Sequence, residues 1–211
     1  PQLSVHPLFG HLETEYSMTM CRLANHAISR KVYALNDTLF IPGEHATHMS
    51  FVRTGRLEYS MIGPGGRQHV EWVHKTEDWI AEPVLWMSAW TNRGRLAASM
   101  ECELLLVDPL KFSDTICLNP AAFQLVSAYA RSFAKWATSG EALTLSDIAQ
   151  GDEIGARVRS MMGLDDRRRT SNDSVWPPGN WRSTMLGRRS TPSPTSSVSS
   201  ASFSGARIFP M

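Results

Sequence analysis

The chain has 211 residues, 42% of them hydrophobic, with 21 basic and 20 acidic side chains and a formal net charge of +1. This length and apolar fraction allow one domain with a real core plus extensions. No stretch approaches 18 consecutive apolar residues, and Cys21, Cys102 and Cys117 form no Cys-x-x-Cys pair. These features argue against a membrane span within the chain and favour a reducing, cytoplasmic setting.

Charge and composition divide the chain unevenly. Residues 151–211 hold nine arginines and no lysine against five acids, whereas residues 1–150 carry nearly all the aliphatic and aromatic runs. From residue 165 onward the sequence is rich in Ser, Pro and Arg, and it has too little apolar surface to offset the entropy of ordering. We therefore predict a disordered basic tail over 165–211, which either remains solvated or contacts acidic partners, lipid headgroups or its own domain.

The first 30 residues predict a helical segment. Leu12, Tyr16, Met20, Leu23 and Ala27 recur at spacings of three to four, which places them on one apolar stripe. The chain then changes to a β pattern. Short strands are expected at 31–35, 38–41, 48–53, 57–62, 70–74, 95–100 and 102–107. Many short strands separated by turn residues indicate a barrel or sandwich rather than parallel βαβ units.

Two glycines mark the tightest predicted reversals. Pro42 suits position i+1 of a type II turn and Gly43 suits position i+2, where φ must be positive. Gly55 punctuates the next reversal, between the strands at 48–53 and 57–62.

Helical signals interrupt and follow the strands. Pro83 fits the first position of a short helix inserted among the strands. After Asp108 the pattern predicts a helix ending near Asn119 and a second over 120–137, and residues 138–164 are expected to be a weakly helical linker.

Several short motifs resemble the cyclic-nucleotide-binding domain family. They are Phe40-Ile41-Pro42-Gly43-Glu44, then Gly55-Arg56-Leu57-Glu58-Tyr59, and the entry His6-Pro7-Leu8-Phe9. The order of helix, β-roll, short internal helix, β-roll and two C-terminal helices is also similar, over roughly residues 6–137. The resemblance implies a mainly β fold, a jelly-roll-like barrel over 31–137 flanked by the N-terminal segment 1–30 and C-terminal helices, with the linker and tail beyond.

The family's phosphate-binding cassette corresponds here to residues 79–85 followed by 93–99. Glu82 matches the carboxylate that binds the ribose 2′-hydroxyl, and an arginine would fork onto the cyclic phosphate. The resemblance implies a ligand site made by Ala81, Glu82, Val84, Leu85, Arg93, Arg95, Ala98 and Ser99.

This cassette departs from the family pattern in three ways. Ala81 replaces a glycine, and Pro83 removes an amide donor from the helix start. The phosphate arginine is expected near position 91 or 92, so Arg93 and Arg95 are out of register and reach the phosphate only if the loop shifts. Trp86 and Trp90 are bulky; they either stack on a purine or fill the pocket themselves.

Two functions follow from the resemblance. One is a regulatory sensor of cAMP or cGMP, within a cation channel or a kinase regulatory protein, whose C-terminal helix moves when ligand binds. The other is a ligand-independent interaction module with a degenerate pocket, which the missing arginine favours. In either case the expected partners are other domains of a larger protein.

Other chemistry has weaker support. No nucleophile triad, P-loop or kinase signature is visible, and the seven histidines lack the His-x-His spacing of a cupin metal site, so we predict neither an enzyme nor a metal or cofactor. No convincing helix-turn-helix follows residue 137, so nucleic acid is not expected as a partner. In the tail, Thr170, Ser171 and Ser190 follow arginines and are candidate phosphorylation sites.

Overall fold

A computed structural model describes residues 3–63, 66–74, 78–139, 146–149 and 152–163. The strands are β1 (Ile28–Tyr33), β2 (Thr38–Phe40), β3 (Met49–Thr54), β4 (Leu57–Ile62), β5 (Gln68–Val73), β6 (Trp79–Ile80), β7 (Arg95–Ala98), β8 (Cys102–Val107) and β9 (Ile148–Ala149). They form two antiparallel sheets with the orders β1-β8-β3-β6-β9 and β2-β7-β4-β5. The expected jelly-roll-like barrel is therefore confirmed.

The strand ends differ from the sequence prediction where pairing overrides local pattern. β1 was expected at 31–35, but it begins at Ile28 and ends at Tyr33. It pairs residue for residue with β8, from Ile28 opposite Val107 to Tyr33 opposite Cys102, so the length of β8 sets the length of β1. β1 consequently crosses the predicted boundary between segments 1–30 and 31–137. β6 and β9 were not predicted, because two residues carry no alternation.

Helices flank the barrel on the side of the first sheet. They are a 3-10 turn (Leu3–Val5), α1 (Pro7–Glu15), α2 (Ser17–His26), α3 (Pro83–Trp86), α4 (Pro109–Cys117), α5 (Pro120–Ala137) and α6 (Asp152–Met161). Proline stands at the start of α3, α4 and α5, as its fixed φ favours. Asp108 caps α4 and Asn119 caps α5 by accepting hydrogen bonds from backbone amides of the first turn.

The N-terminal apolar stripe is divided between two helices rather than carried by one. Tyr16 leaves the helical region at φ −132° and ψ 49° and separates α1 from α2. The break keeps Leu12 and Leu23 fully buried in a single cluster with Phe112 and Val126 of α4 and α5. Among the described residues, no helix is long and apolar enough to cross a membrane.

The two turn glycines adopt the predicted conformation. Gly43 has φ +91°, and the Glu44 amide donates to the Ile41 carbonyl across the turn, at 3.3 Å. Gly55 has φ +89°, and a Cβ at this position would lie 2.5 Å from the Glu101 carbonyl oxygen. Gly43 has no atom within 4 Å of the same built position. Both positions therefore require a left-handed backbone that favours glycine, but they differ in the steric room for a Cβ.

This difference predicts unequal effects of the same substitution. Gly43→Ala is expected to lower the free energy of unfolding by about 1–2 kcal/mol, the cost of a left-handed alanine. Gly55→Ala adds a clash with backbone and is expected to cost about 3 kcal/mol or more. Urea unfolding of both variants measures the two values. Equal losses would contradict the steric argument.

Candidate functional site

The cassette begins with a strained backbone. Ala81 follows β6 and has φ +57°, the left-handed region in which a glycine would be unstrained. Its amide donates to the Asp147 carbonyl at 2.7 Å, and its carbonyl accepts from the Val84 amide in α3. Ala81 thus adopts a backbone conformation that favours glycine, and its amide is bonded to the carbonyl of Asp147.

The Glu82 side chain lies in the core, whereas the resemblance placed it at a ligand. The residue is only 4% exposed. Its carboxylate accepts hydrogen bonds from Trp79 Nε1 at 2.7 Å, from Trp86 Nε1 at 3.1 Å and from the Tyr129 hydroxyl of α5. His6 Nε2 lies 3.2 Å from Glu82 Oε1. Four groups of the chain therefore surround the carboxylate predicted to bind a ribose.

The hydrogen bond at Nδ1 of His6 determines which nitrogen of its imidazole ring carries the proton. Nδ1 accepts a hydrogen bond from the Leu8 amide and so caps α1. The ring proton is accordingly assigned to Nε2, the nitrogen that faces Glu82. Glu82 therefore joins the start of α1, through His6, to α3 and to the middle of α5, through Tyr129.

The electrostatics of this cluster favour an ionised Glu82. Burial raises the pKa of the carboxyl, but the adjacent His6 and the hydrogen bonds from Tyr129 and Trp86 lower it by more, so the net pKa is below its usual value. Burial, together with the charge of Glu82, raises the pKa of the Tyr129 hydroxyl well above its usual value. The Tyr129 hydroxyl thus stays a donor at neutral pH.

The remaining predicted ligand residues are scattered. Val84 and Leu85 belong to the core between the first sheet and the helices, and Ala98 is buried between the sheets. The Arg95 side chain is exposed and donates to Thr38 Oγ1 at 3.0 Å. Ser99 Oγ donates to the Arg56 carbonyl at 2.8 Å. The structure does not bring these side chains together around one cavity.

The tryptophans resolve the alternative left open by the sequence. Trp86 is 1% exposed and Trp90 is 6% exposed, so both fill space inside the domain. The guanidinium of Arg93 lies over the Trp90 ring, 5.2 Å from its centroid. The Arg93 side chain therefore packs on the Trp90 ring. Its backbone amide donates a hydrogen bond to Asp147.

Asp147 is a candidate site residue that the sequence did not predict. It is 1% exposed, and its carboxylate accepts from the Tyr59 hydroxyl at 2.8 Å and from Trp90 Nε1 at 2.8 Å. It also accepts from the backbone amides of Arg93 at 2.7 Å and Gly94 at 2.9 Å. We call these four donors the Asp147 cradle. Two backbone amides and two side-chain donors converging on one point form an anion site.

The local sequence around Asp147 holds this carboxylate in place. Ser146 Oγ accepts from the Ile148 amide, and Ile148 and Ala149 form β9, which pairs antiparallel with β6 at Ile80 and Trp79. Gly94 leaves room for the Tyr59 ring, since a Cβ there would lie 2.4 Å from a ring atom. Burial is the main cause that raises the pKa of the Tyr59 hydroxyl, and the Asp147 charge adds to it. Tyr59 is therefore a donor to Asp147 at neutral pH.

No protein-family model matches the chain, and no curated protein matches it. Solved structures do. The N-terminal domain of a transcriptional regulator from Streptomyces coelicolor A3(2) aligns with a TM-score of 0.50 and 23% identity, over 67% of this chain and 96% of that one.

Two further similar structures have lower scores. A cyclic nucleotide-binding-like protein from Brucella abortus aligns with a TM-score of 0.42 and 21% identity, over 50% of this chain and 89% of that one. The C-linker and CNBHD of zELK channels, crystallised in the presence of cAMP, aligns with a TM-score of 0.48 and 19% identity, over 59% of each chain.

The fold is that of cyclic-nucleotide-binding domains. At these identities the likeness concerns the fold, and the chemistry of the site rests on the residues described above. The candidate phosphorylation sites Thr170, Ser171 and Ser190 lie outside the described residues, as does the whole predicted tail.

Proposed function

We propose that this chain is a regulatory interaction module of cyclic-nucleotide-binding-domain fold, whose anion site is filled by its own Asp147 and which works without a free nucleotide. The observation that carries the proposal is the Asp147 cradle. A cyclic phosphate needs backbone amides and a positive or donating side chain. Here the amides of Arg93 and Gly94 already donate to a carboxylate of the same chain.

The side chains that would recognise the nucleotide are also committed elsewhere. Glu82 accepts from three donors in the core and is not presented to a ribose. Arg95 contacts Thr38, and the Arg93 guanidinium lies over Trp90. A nucleotide would have to replace these contacts and expel a buried carboxylate. Such rearrangement costs binding free energy that a small ligand has few contacts to supply.

Titration with fluorescent cAMP and cGMP tests the proposal on the full 211-residue chain. We expect no saturable change in anisotropy at millimolar nucleotide, while a cyclic-nucleotide-binding domain of known affinity, measured in parallel, saturates. Saturable micromolar binding of either nucleotide to the folded wild-type chain would contradict the proposal and support a nucleotide sensor.

A second candidate function is a sensor in which nucleotide displaces Asp147. The observation that favours it is the small contact holding the segment, since β9 pairs with β6 through two residue pairs. On this hypothesis Asp147 competes with the phosphate, so Asp147→Ala strengthens cAMP binding relative to the wild type. In the module hypothesis the same substitution leaves cAMP unbound. The parent context, a cytosolic part of a cation channel or a kinase regulatory protein, stays a prediction in both cases.

A further inference from the structure

The strand β5 lies at one end of the second sheet and presents a long edge. It pairs with β4 residue for residue, from Gln68 opposite Ile62 to Val73 opposite Leu57. On its other side no described strand pairs with it, because β5 ends the order β2-β7-β4-β5. None of its residues belongs to the cassette or donates in the Asp147 cradle. This edge is therefore a separate surface, with no part in the function proposed above.

The hydrogen bonds of the hairpin show which backbone groups face this edge. The Gly63 amide donates to the Arg67 carbonyl at 2.8 Å, so Arg67 belongs to a hydrogen-bonded pair with β4. In an antiparallel pair, such residues alternate with residues whose N–H and C=O groups point away from the partner strand. Counting by twos from Arg67, the odd-numbered residues of β5 bond to β4. The residues that direct their backbone groups to the edge are Gln68, Val70 and Trp72.

The other sheet edges in the described part of the chain carry features that hinder pairing. β1, at the edge of the first sheet, contains Arg30 and Lys31, and charged side chains on an edge strand oppose edge-to-edge association. β9 and β2 have only two and three residues, and β2 also has a register shift and precedes Pro42. β5 has six residues, contains neither lysine nor proline and keeps an unbroken register with β4. An added strand therefore meets least hindrance at β5.

β5 also carries exposed apolar side chains. The buried Val73 faces the core, so Val70 and Trp72, at the alternate positions, point to the outside of the sheet. They are 51% and 43% exposed, and Ile62 on the same face of β4 is 76% exposed. Native proteins seldom combine a long edge with exposed apolar residues unless the edge is covered. A strand added beside β5 would cover part of this surface through cross-strand side-chain pairs.

We propose that β5 pairs antiparallel with β5 of a second copy of this chain, about a two-fold axis at Val70. Backbone groups that face the edge must meet each other, so even-numbered residues pair with even-numbered residues. With Val70 opposite Val70 of the copy, Glu71 lies opposite His69 and nearly the whole strand is paired. A shift by two residues in one direction sets Glu71 against Glu71 of the copy, which repel each other. A shift in the other direction removes Trp72 from the paired stretch.

The expected dimer is weak. A strand of six residues is about 20 Å long, so its pairing covers less than the roughly 800 Å² per partner of a standard interface. Trp72 lies opposite Gln68 of the copy and diagonal to its Val70, within reach of a large aromatic side chain. We expect a dissociation constant on the order of 0.1 mM.

Sedimentation velocity of the 211-residue chain between about 10 µM and about 1 mM measures this association. Val70→Lys places two lysines at the two-fold axis and is expected to weaken the dimer at least about tenfold. Val32→Lys is the matched control, the same change at a 62% exposed position on β1, and is expected to leave the dimer unaltered. Circular dichroism verifies that both variants are folded.

Cysteine cross-linking tests the register. In a chain with the exposed Cys21 and Cys117 replaced by serine, Val70→Cys is expected to form a disulfide-linked dimer under a mild oxidant. Opposite Cα atoms of a hydrogen-bonded pair are about 5.5 Å apart, which suits a disulfide. Ile62→Cys, exposed on the neighbouring strand and away from the axis, is expected to stay largely monomeric.

Three results would each overturn the proposal. The first is a wild-type chain that remains a monomer at about 1 mM. The second is a Val70→Lys variant that dimerises as tightly as Val32→Lys. The third is cross-linking of Ile62→Cys as fast as that of Val70→Cys, because the copies would then meet through another surface.

Discussion

Replacing Glu82 with alanine is expected to lower the free energy of unfolding by about 3–5 kcal/mol, because it leaves a cluster of buried donors without an acceptor. The Tyr129 hydroxyl and the indole N–H groups of Trp79 and Trp86 all donate to this carboxylate. All three side chains are at most 2% exposed, so water does not replace the lost acceptor in the folded chain. Urea denaturation followed by tryptophan fluorescence and circular dichroism measures the loss.

Two further variants show how much of this loss comes from the hydrogen bonds to Glu82 and how much from the removal of a negative charge. Glu82→Gln keeps one acceptor and the side-chain shape but adds an amino group facing donors, so a loss of about 1–3 kcal/mol is expected. Glu101→Ala removes an exposed carboxylate and is expected to change stability by less than about 0.5 kcal/mol. A Glu82→Ala variant as stable as Glu101→Ala would show that the buried cluster contributes little.

The same carboxylate gives stability a definite pH dependence. The pKa of Glu82 is lower in the folded chain than its ordinary value, so the unfolded chain takes up the proton first as pH falls. Its contribution is therefore fully present above the ordinary carboxyl pKa and is lost as pH falls through the lowered, folded value, that is, below about pH 4. Urea midpoints measured from pH 7 to pH 2 should fall less steeply for Glu82→Gln than for the wild type. Parallel curves would contradict this assignment.

The features that the sequence predicted well are those that local geometry decides. Gly43 and Gly55 have positive φ because a tight reversal allows little else, and their sequence context showed where the reversals lie. The strands β4 and β8 match their predicted bounds because alternation and turn residues delimit them. The helix starts marked by proline were predicted for the same reason, because the fixed φ of proline suits the first position of a helix.

The site could not be read in the same way, because its geometry depends on distant partners. Whether Glu82 faces a ligand or the core is decided by Tyr129, 47 residues away in sequence. Asp147 meets Tyr59 across 88 residues, from a linker where the sequence predicted only weak helix. A lone Asp in a polar stretch carries no signal of burial. The out-of-register arginines were a visible departure of the cassette from the family pattern.

Replacing Asp147 with alanine is expected to release its segment while the barrel stays folded. The carboxylate satisfies four donors, and β9 adds two residue pairs on β6. Water can reach the freed donors once this segment leaves, so the penalty appears as local opening rather than global unfolding. We expect the free energy of opening to fall by about 2–4 kcal/mol, which corresponds to roughly 30- to 1,000-fold faster hydrogen exchange at the Ala81 amide.

The Ala81 amide is the chosen reporter because its acceptor is the Asp147 carbonyl itself. The amides of Phe112 in α4 and of Phe123 in α5 report on the rest of the domain, and their exchange should not change. Asp147→Asn retains an acceptor and is expected to open less than Asp147→Ala. If exchange accelerates equally at Ala81, Phe112 and Phe123, the segment is an integral part of the global fold. The idea of a separable self-bound anion would then be wrong.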